Sequence, residues 1–367
     1  MAAAKQGVEA ADRSRRRLTQ ADVARHAGVS PAIVSAVLNG RQYGNIRISD
    51  RTRGRVLEAV RELGYSPNIA ARNLAGGANK LVGVFTFQRL FPLVKEDFYY
   101  EFLVGVEEEA EAAGYNLLML TAAKDQRGER SLFPDGANGL QLADGGILVG
   151  WGERQDEIRR LAGENYPFVF IGERHIEGVD VHYVAADYLS ATAEIVDRVA
   201  RLGHERVGMV LDANSNETIP GRRAGYRAGI GRNPGLDGDH LVALGGAAEG
   251  AELAIDVEAV LDWARATRLT ALVVESTTTA AAIRDVSAAR GLAVPGDLSL
   301  VGLSGTPELA PARSITELSI PRREMGREAM RLLVALLADP VAAPASTTLS
   351  CSLRDAGSLA APSSPIE

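Results

Sequence analysis

From Leu18 the chain reads LTQADVARHAGVSPAIVSAVLNG, then the polar loop RQYGNIR, then ISDRTRGRVLEAVRELGYSPN and IAARNLAGG. Thr19 followed three residues later by Asp22 is a capping-box start for a helix. Val23, Ala24 and Ala27 repeat at helical spacing behind it. Gly28 stops this helix, because glycine enters left-handed backbone space without a Cβ penalty. Ser30 caps a second helix, and Pro31 fits its first turn, where no backbone donor is needed. Val34, Val37 and Leu38 point inward from it, and Asn39-Gly40 ends it. Two short helices joined by a Gly-Val-Ser turn form a helix-turn-helix. Ser49 caps a third helix, whose Val56, Leu57, Val60 and Leu63 close a small core before Gly64. The segment from Ser66 to Gly76 has a cap, a proline start and an Ala-rich run of about two turns. Helices shorter than ~12 residues are marginal in water, so this one is expected to fold only when DNA and a second copy hold it.

The stretches DVARHAGVSPAIVSAVLNG and TRGRVLEAVRELGYSPNIAARNLAGG, at this spacing, resemble the DNA-binding headpiece and hinge of the LacI/GalR family of bacterial transcription regulators. ARLGHERVGMV (200–210) and GDLSLVGLS with SITELSIPRREMGREAMRLL follow the same family's body, so the resemblance covers roughly 18–355.

The totals agree with a small head on a large body. A chain of 367 residues exceeds one typical domain. The single cysteine, Cys351, allows no internal disulfide and suits a reducing cytoplasm. No stretch approaches a membrane span, and MAAAKQGVEAADRSRRR has no apolar core of a secretory signal. The net charge of −7 conceals a division: residues 1–76 hold 13 Lys/Arg and 6 Asp/Glu, and the remainder 27 and 41. A basic head on an acidic body predicts that the head meets a polyanion.

Beyond the head, short apolar runs alternate with helical patterns. LVGVFTF (81–87), YNLLMLTA (115–122), GGILVGW (145–151), YPFVFIGE (166–173), RVGMVLD (206–212), HLVALGG (240–246), TALVVES (270–276) and LSLVGLS (298–304) read as strands. Helices are expected over 98–113, 186–202, 220–231, 251–266, 279–290 and 325–339, with RSITELSIP (313–321) and TTLSCSLRD (347–355) as further extended segments. Such alternation predicts parallel sheets, and two similar halves predict two of them. The fold class is therefore α/β, two Rossmann-like subdomains preceded by an all-α headpiece; the resemblance implies a periplasmic-binding-protein-like body. The expected division is a disordered basic tail 1–17, headpiece 18–65, hinge 66–79, body 80–355 and a disordered tail 356–367. Within the body the resemblance puts 80–203 and 315–340 in one half, and 204–314 and 341–355 in the other.

At the DNA end, the second helix is expected to enter the major groove by its N-terminus. The resemblance places Pro31, Ala32 and Ala36 toward the bases. Alanine lacks the bidentate reach of arginine, so Ala32, Ile33 and Ala36 offer methyl contact to thymine, unless Ile33 belongs to the core. Thr19, Ser30, Ser35, Asn39 and Arg41 are candidate phosphate contacts. Arg47, with Asn45, either reaches DNA from the loop or sits in a surface insertion. In the hinge, the resemblance assigns Asn68, Ala71 and Leu74 to the operator, Leu74 as an apolar wedge that unstacks a base step from the minor groove.

In the body, the resemblance implies a small effector bound between the halves. It places Arg222, Asp187, Ser276 and Ser304 there, and Phe98 and Trp151 at strand ends offer stacking surface. Ser276-Thr277 and Ser304-Gly305 stand where relatives carry acids or amides. An Arg222 without nearby carboxylates would favour an acidic or acceptor-rich ligand. Enzyme readings are weak: there is no phosphate loop and no Gly-x-Gly-x-x-Gly after a strand. His26, His175, His182, His204 and His240 show no metal-ligand spacing. The expected activity is that of a cytoplasmic, homodimeric, sequence-specific DNA-binding regulator, a repressor, on a pseudo-palindromic double-stranded operator, with a small-molecule effector and no cofactor. The competing classes are a solute-binding protein and a sugar-processing enzyme.

Overall fold

The computed structural model describes residues 18–39, 48–65, 79–89, 99–150, 154–212, 218–244, 256–304, 314–339 and 346–363. The chain forms two compact units, Met1–Asn79 and Lys80–Glu367.

The first unit holds three helices, α1 (Gln20–Ala27), α2 (Pro31–Asn39) and α3 (Asp50–Leu63). The capping box at Thr19 forms in both directions: Thr19 N–H donates to Asp22 Oδ2 at 2.9 Å, and Thr19 Oγ1 accepts from Asp22 N–H at 3.4 Å. Gly28 is left-handed at φ 64°, and its N–H returns to Ala24 O. Ser49 accepts from Thr52 N–H at 3.3 Å and starts α3. Val23, Ala24, Ala27, Val34, Val37, Val56, Ala59 and Tyr65 make the core. Leu57, expected in that core, is instead 43 % exposed. Val56 and Ala59, three apart, take the inward face of α3 and leave Leu57 on the flank.

The second unit contains two six-stranded sheets. The first has β1 (Leu81–Phe85), β2 (Asn116–Met119), β3 (Gly145–Val149), β4 (Phe168–Ile171), β5 (Tyr183–Ala186) and β11 (Ser346–Leu349), in the order β11-β5-β4-β3-β1-β2, all parallel. The second has β6 (Val207–Asp212), β7 (Leu241–Leu244), β8 (Ala271–Val274), β9 (Ser299–Gly302), β10 (Thr316–Ser319) and β12 (Ser352–Arg354), in the order β12-β10-β9-β8-β6-β7. Only β12 runs antiparallel there. Helices α4 (Tyr100–Ala112), α5 (Gln155–Gly163), α6 (Tyr188–Arg201), α7 (Thr218–Arg232), α8 (Val257–Ala266), α9 (Thr277–Ala289) and α10 (Arg322–Ala338) cover them. The two-subdomain α/β body behind a helical head is the architecture that the strand–helix alternation predicts. None of the described helices is long and apolar enough to cross a membrane.

The chain crosses between the halves at positions other than the expected boundaries at 203/204, 314/315 and 340/341. Helix α6 packs Ala191, Ile195, Val196 and Val199 on the second core, so the first crossing lies between β5 and α6. Strand β10 pairs with β9, whereas α10 inserts Met325, Ala329, Met330 and Leu333 into the first core. The second crossing is therefore at Ile320–Pro321. TTLSCSLRD is broken at Ser350–Cys351 into β11 and β12, one in each sheet. The physical reason is side-chain register. Each crossing element shows its apolar face to the sheet that buries it, and a boundary set by resemblance does not resolve which sheet that is.

Between β2 and β3, where no helix was expected, the described chain has none; Leu132, Phe133 and Leu140 of that connection fill one face of the first sheet. The segment after Asp355, expected to be disordered, packs on the second half as far as it is described. Leu359 joins that core, Ser358 is 3 % exposed, and Ala360 is held by His204 and Ser299. Residues 1–17 and the hinge residues 66–78 lie outside the described residues.

Candidate nucleic-acid interface and effector cleft

In the head, Ser30 and Pro31 are exposed at the start of α2, with Ala32 and Ser35 half-buried behind them. Ser30 Oγ accepts from Ile33 N–H at 3.4 Å, and its carbonyl accepts from Val34 N–H at 3.2 Å. The amino end of the helix is thus capped and presented to solvent, as groove entry requires. Ala36 departs from the expectation: at 5 % exposure its methyl group is covered and offers nothing to a base in this form. Ile33 packs partly against the head core, which resolves its two readings toward packing. Thr19 is committed to capping α1, leaving a helix amino end beside an exposed hydroxyl. Arg25, Arg51, Arg53, Arg55 and Arg61 are exposed on the head surface. Arg41, Arg47, Asn68, Ala71 and Leu74, and the side chain of Asn39, lie outside the described residues.

In the body, four of the expected cleft residues converge where strands end and the chain crosses, which is the ligand-binding end of parallel sheets. Asp187 follows β5 and caps α6, accepting from Ser190 N–H at 2.9 Å. Ser276 follows β8 and caps α9 through Thr279 N–H at 3.2 Å. Ser304 follows β9 and accepts from Thr277 N–H at 2.9 Å. Arg222 projects from α7 over the ring of Tyr188, 4.6 Å from its centroid. Tyr188 packs against both cores, and burial raises its pKa despite the nearby Arg222 and Arg322. Cys351, at the third crossing, feels Arg222, Asp187 and Arg322 together, and burial pushes its thiol up to about 11. Phe98 and Trp151 lie outside the described residues.

The expectation that Arg222 has no nearby carboxylate is corrected. Glu275, the residue directly after β8, accepts from Arg222 Nη1 at 3.0 Å, and both side chains are buried. The ground for an acidic ligand therefore disappears. Glu275 is legible only from its place at a strand's carboxyl end, because it reads as the last residue of an apolar run.

Other polar groups near the strand ends are visible only in the structure. Tyr99, just before α4, is buried. Its hydroxyl donates to Gln88 Oε1 at 3.1 Å, and burial raises its pKa to about 12. Thr86 Oγ1 reaches the same oxygen at 3.2 Å. Arg130, from the β2–β3 connection, donates to the carbonyls of Thr86, Gln88 and Thr121, so that connection fixes the end of β1. Arg322 at the head of α10 donates to Ser304 O and lies 3.7 Å from Glu101 of α4, linking the second crossing to both halves. Arg174 stacks on Phe170 and donates to Gly150 O; burial lowers its pKa to about 10. It also borders a depression of about 370 Å³ lined by His175, Glu177, Asp180 and Tyr183, on the β4–β5 connection. That depression shares none of the four converging residues and is not the cleft.

Histidine chemistry is structural here. His204 is buried between Thr270 Oγ1 and Ala360 O, each at 2.8 Å, and burial lowers its pKa. Two glutamates of α4 are ion-paired with α10: Glu108 with Arg323 and Arg327, Glu109 with Arg331. Among the described residues no group of three or more His, Cys, Asp or Glu side chains could hold a metal ion.

Two family models match the chain: bacterial regulatory proteins, lacI family, over residues 19–68, and periplasmic binding protein-like domain over 196–359. The chain is 30 % identical over 322 residues to catabolite control protein A of Priestia megaterium, covering 85 % of this chain and 90 % of that one. It is 29 % identical over 351 residues to the HTH-type transcriptional regulator CelR of Thermobifida fusca, covering 94 % and 99 %. Among solved structures, a transcriptional regulator CelR–cellobiose complex matches at 25 % identity and a TM-score of 0.61, covering 93 % of this chain and 100 % of that one. The lac repressor dimer bound to operator and an anti-inducer shares the fold at a TM-score of 0.71 and 22 % identity, covering 94 % and 100 %.

Proposed function

Because the chain belongs to the lacI family of bacterial regulatory proteins, we propose that it is a sequence-specific DNA-binding transcription regulator, a repressor. Its operator affinity is modulated by a small molecule bound between the two halves of its body. The head supports this reading most directly: a capped, solvent-facing amino end of α2 beside exposed arginines is suited to base edges and phosphates. The converging strand ends around Arg222, Ser276 and Ser304 support the effector site. The protein works as a homodimer on a pseudo-palindromic operator, in the cytoplasm, and catalyses no reaction. Leu74 of each hinge acts as the wedge at the operator centre.

The test is a gel-shift with genomic fragments spanning the region upstream of the chain's own coding sequence, followed by footprinting. Two symmetry-related protected half-sites are the expected result. Absence of retention at low salt, where phosphate contacts are strongest, would overturn the proposal. Protection of one asymmetric half-site would overturn the dimer.

A further inference from the structure

The buried pair in the cleft carries an inference about ligand selection, which rests on the effector-binding reading above. Arg222 and Glu275 are both on the second half, from α7 and the end of β8. Their side chains are 6 % and 3 % exposed, and the contact is 3.0 Å. Glu275 is held by its own backbone, whose N–H donates to Val210 O. The pair therefore forms within one half and needs no closure of the cleft. The guanidinium carbon of Arg222 lies 4.6 Å from the Tyr188 ring centroid, so the group is held on a second side as well as by its counter-ion.

We propose that Glu275 is a specificity-determining residue: a built-in counter-ion that occupies Arg222, excludes small anions from it, and leaves its Nε–H for an uncharged acceptor. A guanidinium presents five donors in a rigid fork. One, on Nη1, is spent on Glu275. Nε is buried without a hydrogen-bond partner among the described residues. A buried donor left unmade is costly and rare, and points to an absent acceptor. A carboxylate or phosphate ligand fits this place badly. To take the fork it must displace Glu275, stranding a buried carboxylate. To bind beside it, two negative charges must sit within a few ångströms in a water-poor site. A hydroxyl or carbonyl oxygen incurs neither cost. The neighbouring groups are themselves uncharged and already engaged, Thr277 and Ser304 with each other and Ser276 with Thr279 N–H.

The experiment uses the full-length wild type, Glu275→Gln, and Arg222→Met with Glu275→Gln, and inorganic sulfate as the probe. Thermal shift and calorimetry are run in sulfate and in chloride at equal ionic strength. Sulfate stabilises folded proteins by general exclusion, so the readout is the saturable difference between variants. Glu275→Gln frees a buried guanidinium and is expected to bind sulfate at least about tenfold more tightly than wild type, near 1.4 kcal/mol at 25 °C. The double variant is expected to match wild type. A saturable sulfate site in wild type that the double variant lacks would overturn the proposal, as would Glu275→Gln without any gain. Should Glu275→Gln not fold in chloride, refolding from urea decides: recovery in sulfate alone supports the proposal, and failure in both salts counts against it. The wild-type arm stands whatever the variants do. Sulfate binding does not involve the head, whereas the gel-shift does, so failure here and failure of the regulator reading are separate results.

Discussion

Ending the chain at Asp355 is expected to cripple the second half of the body. The segment beyond it contributes Leu359 to the second core, and burying a leucine is worth about 1.5–3 kcal/mol. Ser358 is buried and makes three hydrogen bonds: its Oγ accepts from Thr316 N–H at 2.8 Å and donates to Leu300 O at 2.6 Å, and its carbonyl accepts from Leu300 N–H at 2.8 Å. Each is worth about 1 kcal/mol net. Ala360 adds its contacts to Ser299 and to His204 Nε2. Water replaces part of these bonds in the truncated chain, so the sum is about 5 kcal/mol. That is comparable with the whole stability of a typical domain, about 5–15 kcal/mol.

The assay is urea unfolding followed by tryptophan fluorescence. Trp263 packs against the second half's core. In a Trp151→Phe background it is the only tryptophan and reports that half alone. With a slope of about 3 kcal/mol per molar urea, truncation at Asp355 should lower the Trp263 midpoint by about 1.7 M. A chain ending at Ser363 keeps every contact named and should unfold as the full chain does. If the Asp355 truncation unfolds at an unchanged midpoint, the tail is an adornment and the packing account is wrong.

Three more outcomes test other links. Helices α4 and α10 approach backbone to backbone at Gly105 and Gly326: a Cβ on Gly105 would stand 1.9 Å from Arg323 O, and one on Gly326 2.1 Å from Phe102 O. Gly105→Ala should therefore cost about 1–3 kcal/mol or more by forcing the helices apart, measured by urea unfolding; a neutral result would refute the close approach. Hydrogen bonds from Arg323 and then Arg327 hold the Glu108 carboxyl down to about 2 from 4.5. A depressed acid contributes stability that is full above about pH 4.5 and lost as pH falls through about 2. Glu108→Gln should then flatten the acid limb of the stability–pH curve, and an unchanged limb would show the ion pairs to be idle. In the hinge, Leu74→Ala should weaken operator binding and reduce the bend in a circular-permutation gel, since the wedge acts only where the base step opens; unchanged bend and affinity would make Leu74 a packing residue.

The order of elements was legible because both periods are strong here. The 3.6-residue spacing of Val23, Ala24 and Ala27 and the apolar runs such as TALVV leave few alternatives. Caps were legible too: Thr19 and Ser49 are residues that satisfy orphan N–H groups, and each does so. Strand β5 was not, since YVAA is short and merges with the helix that follows. The crossings were not, because whether α6 lies on one sheet or the other depends on tertiary packing that has no local signature. The tail was misjudged for a related reason. AGSLAAP is poor in apolar bulk, and its stability comes from backbone and hydroxyl hydrogen bonds to strands far away in sequence.

The site shows where reading residue types stops working. Ser276, Ser304 and Asp187 were picked for their polar atoms, and all three spend those atoms on helix caps or on Thr277. A hydroxyl at the carboxyl end of a strand is recruited first by the nearest unsatisfied N–H, and only what remains is offered to a ligand. The residue that sets the chemistry of the cleft, Glu275, was hidden because a carboxylate at the end of VVE looks like the solvated edge of a strand. Its meaning lies in being 2 % exposed with an arginine 3.0 Å away. A charge pattern in sequence gives the sign of a residue, but burial decides whether that sign is shown to a ligand or cancelled inside the protein. Arg222 is a cation in the sequence and half of a neutral pair in the fold, so the ligand it selects follows from its partner.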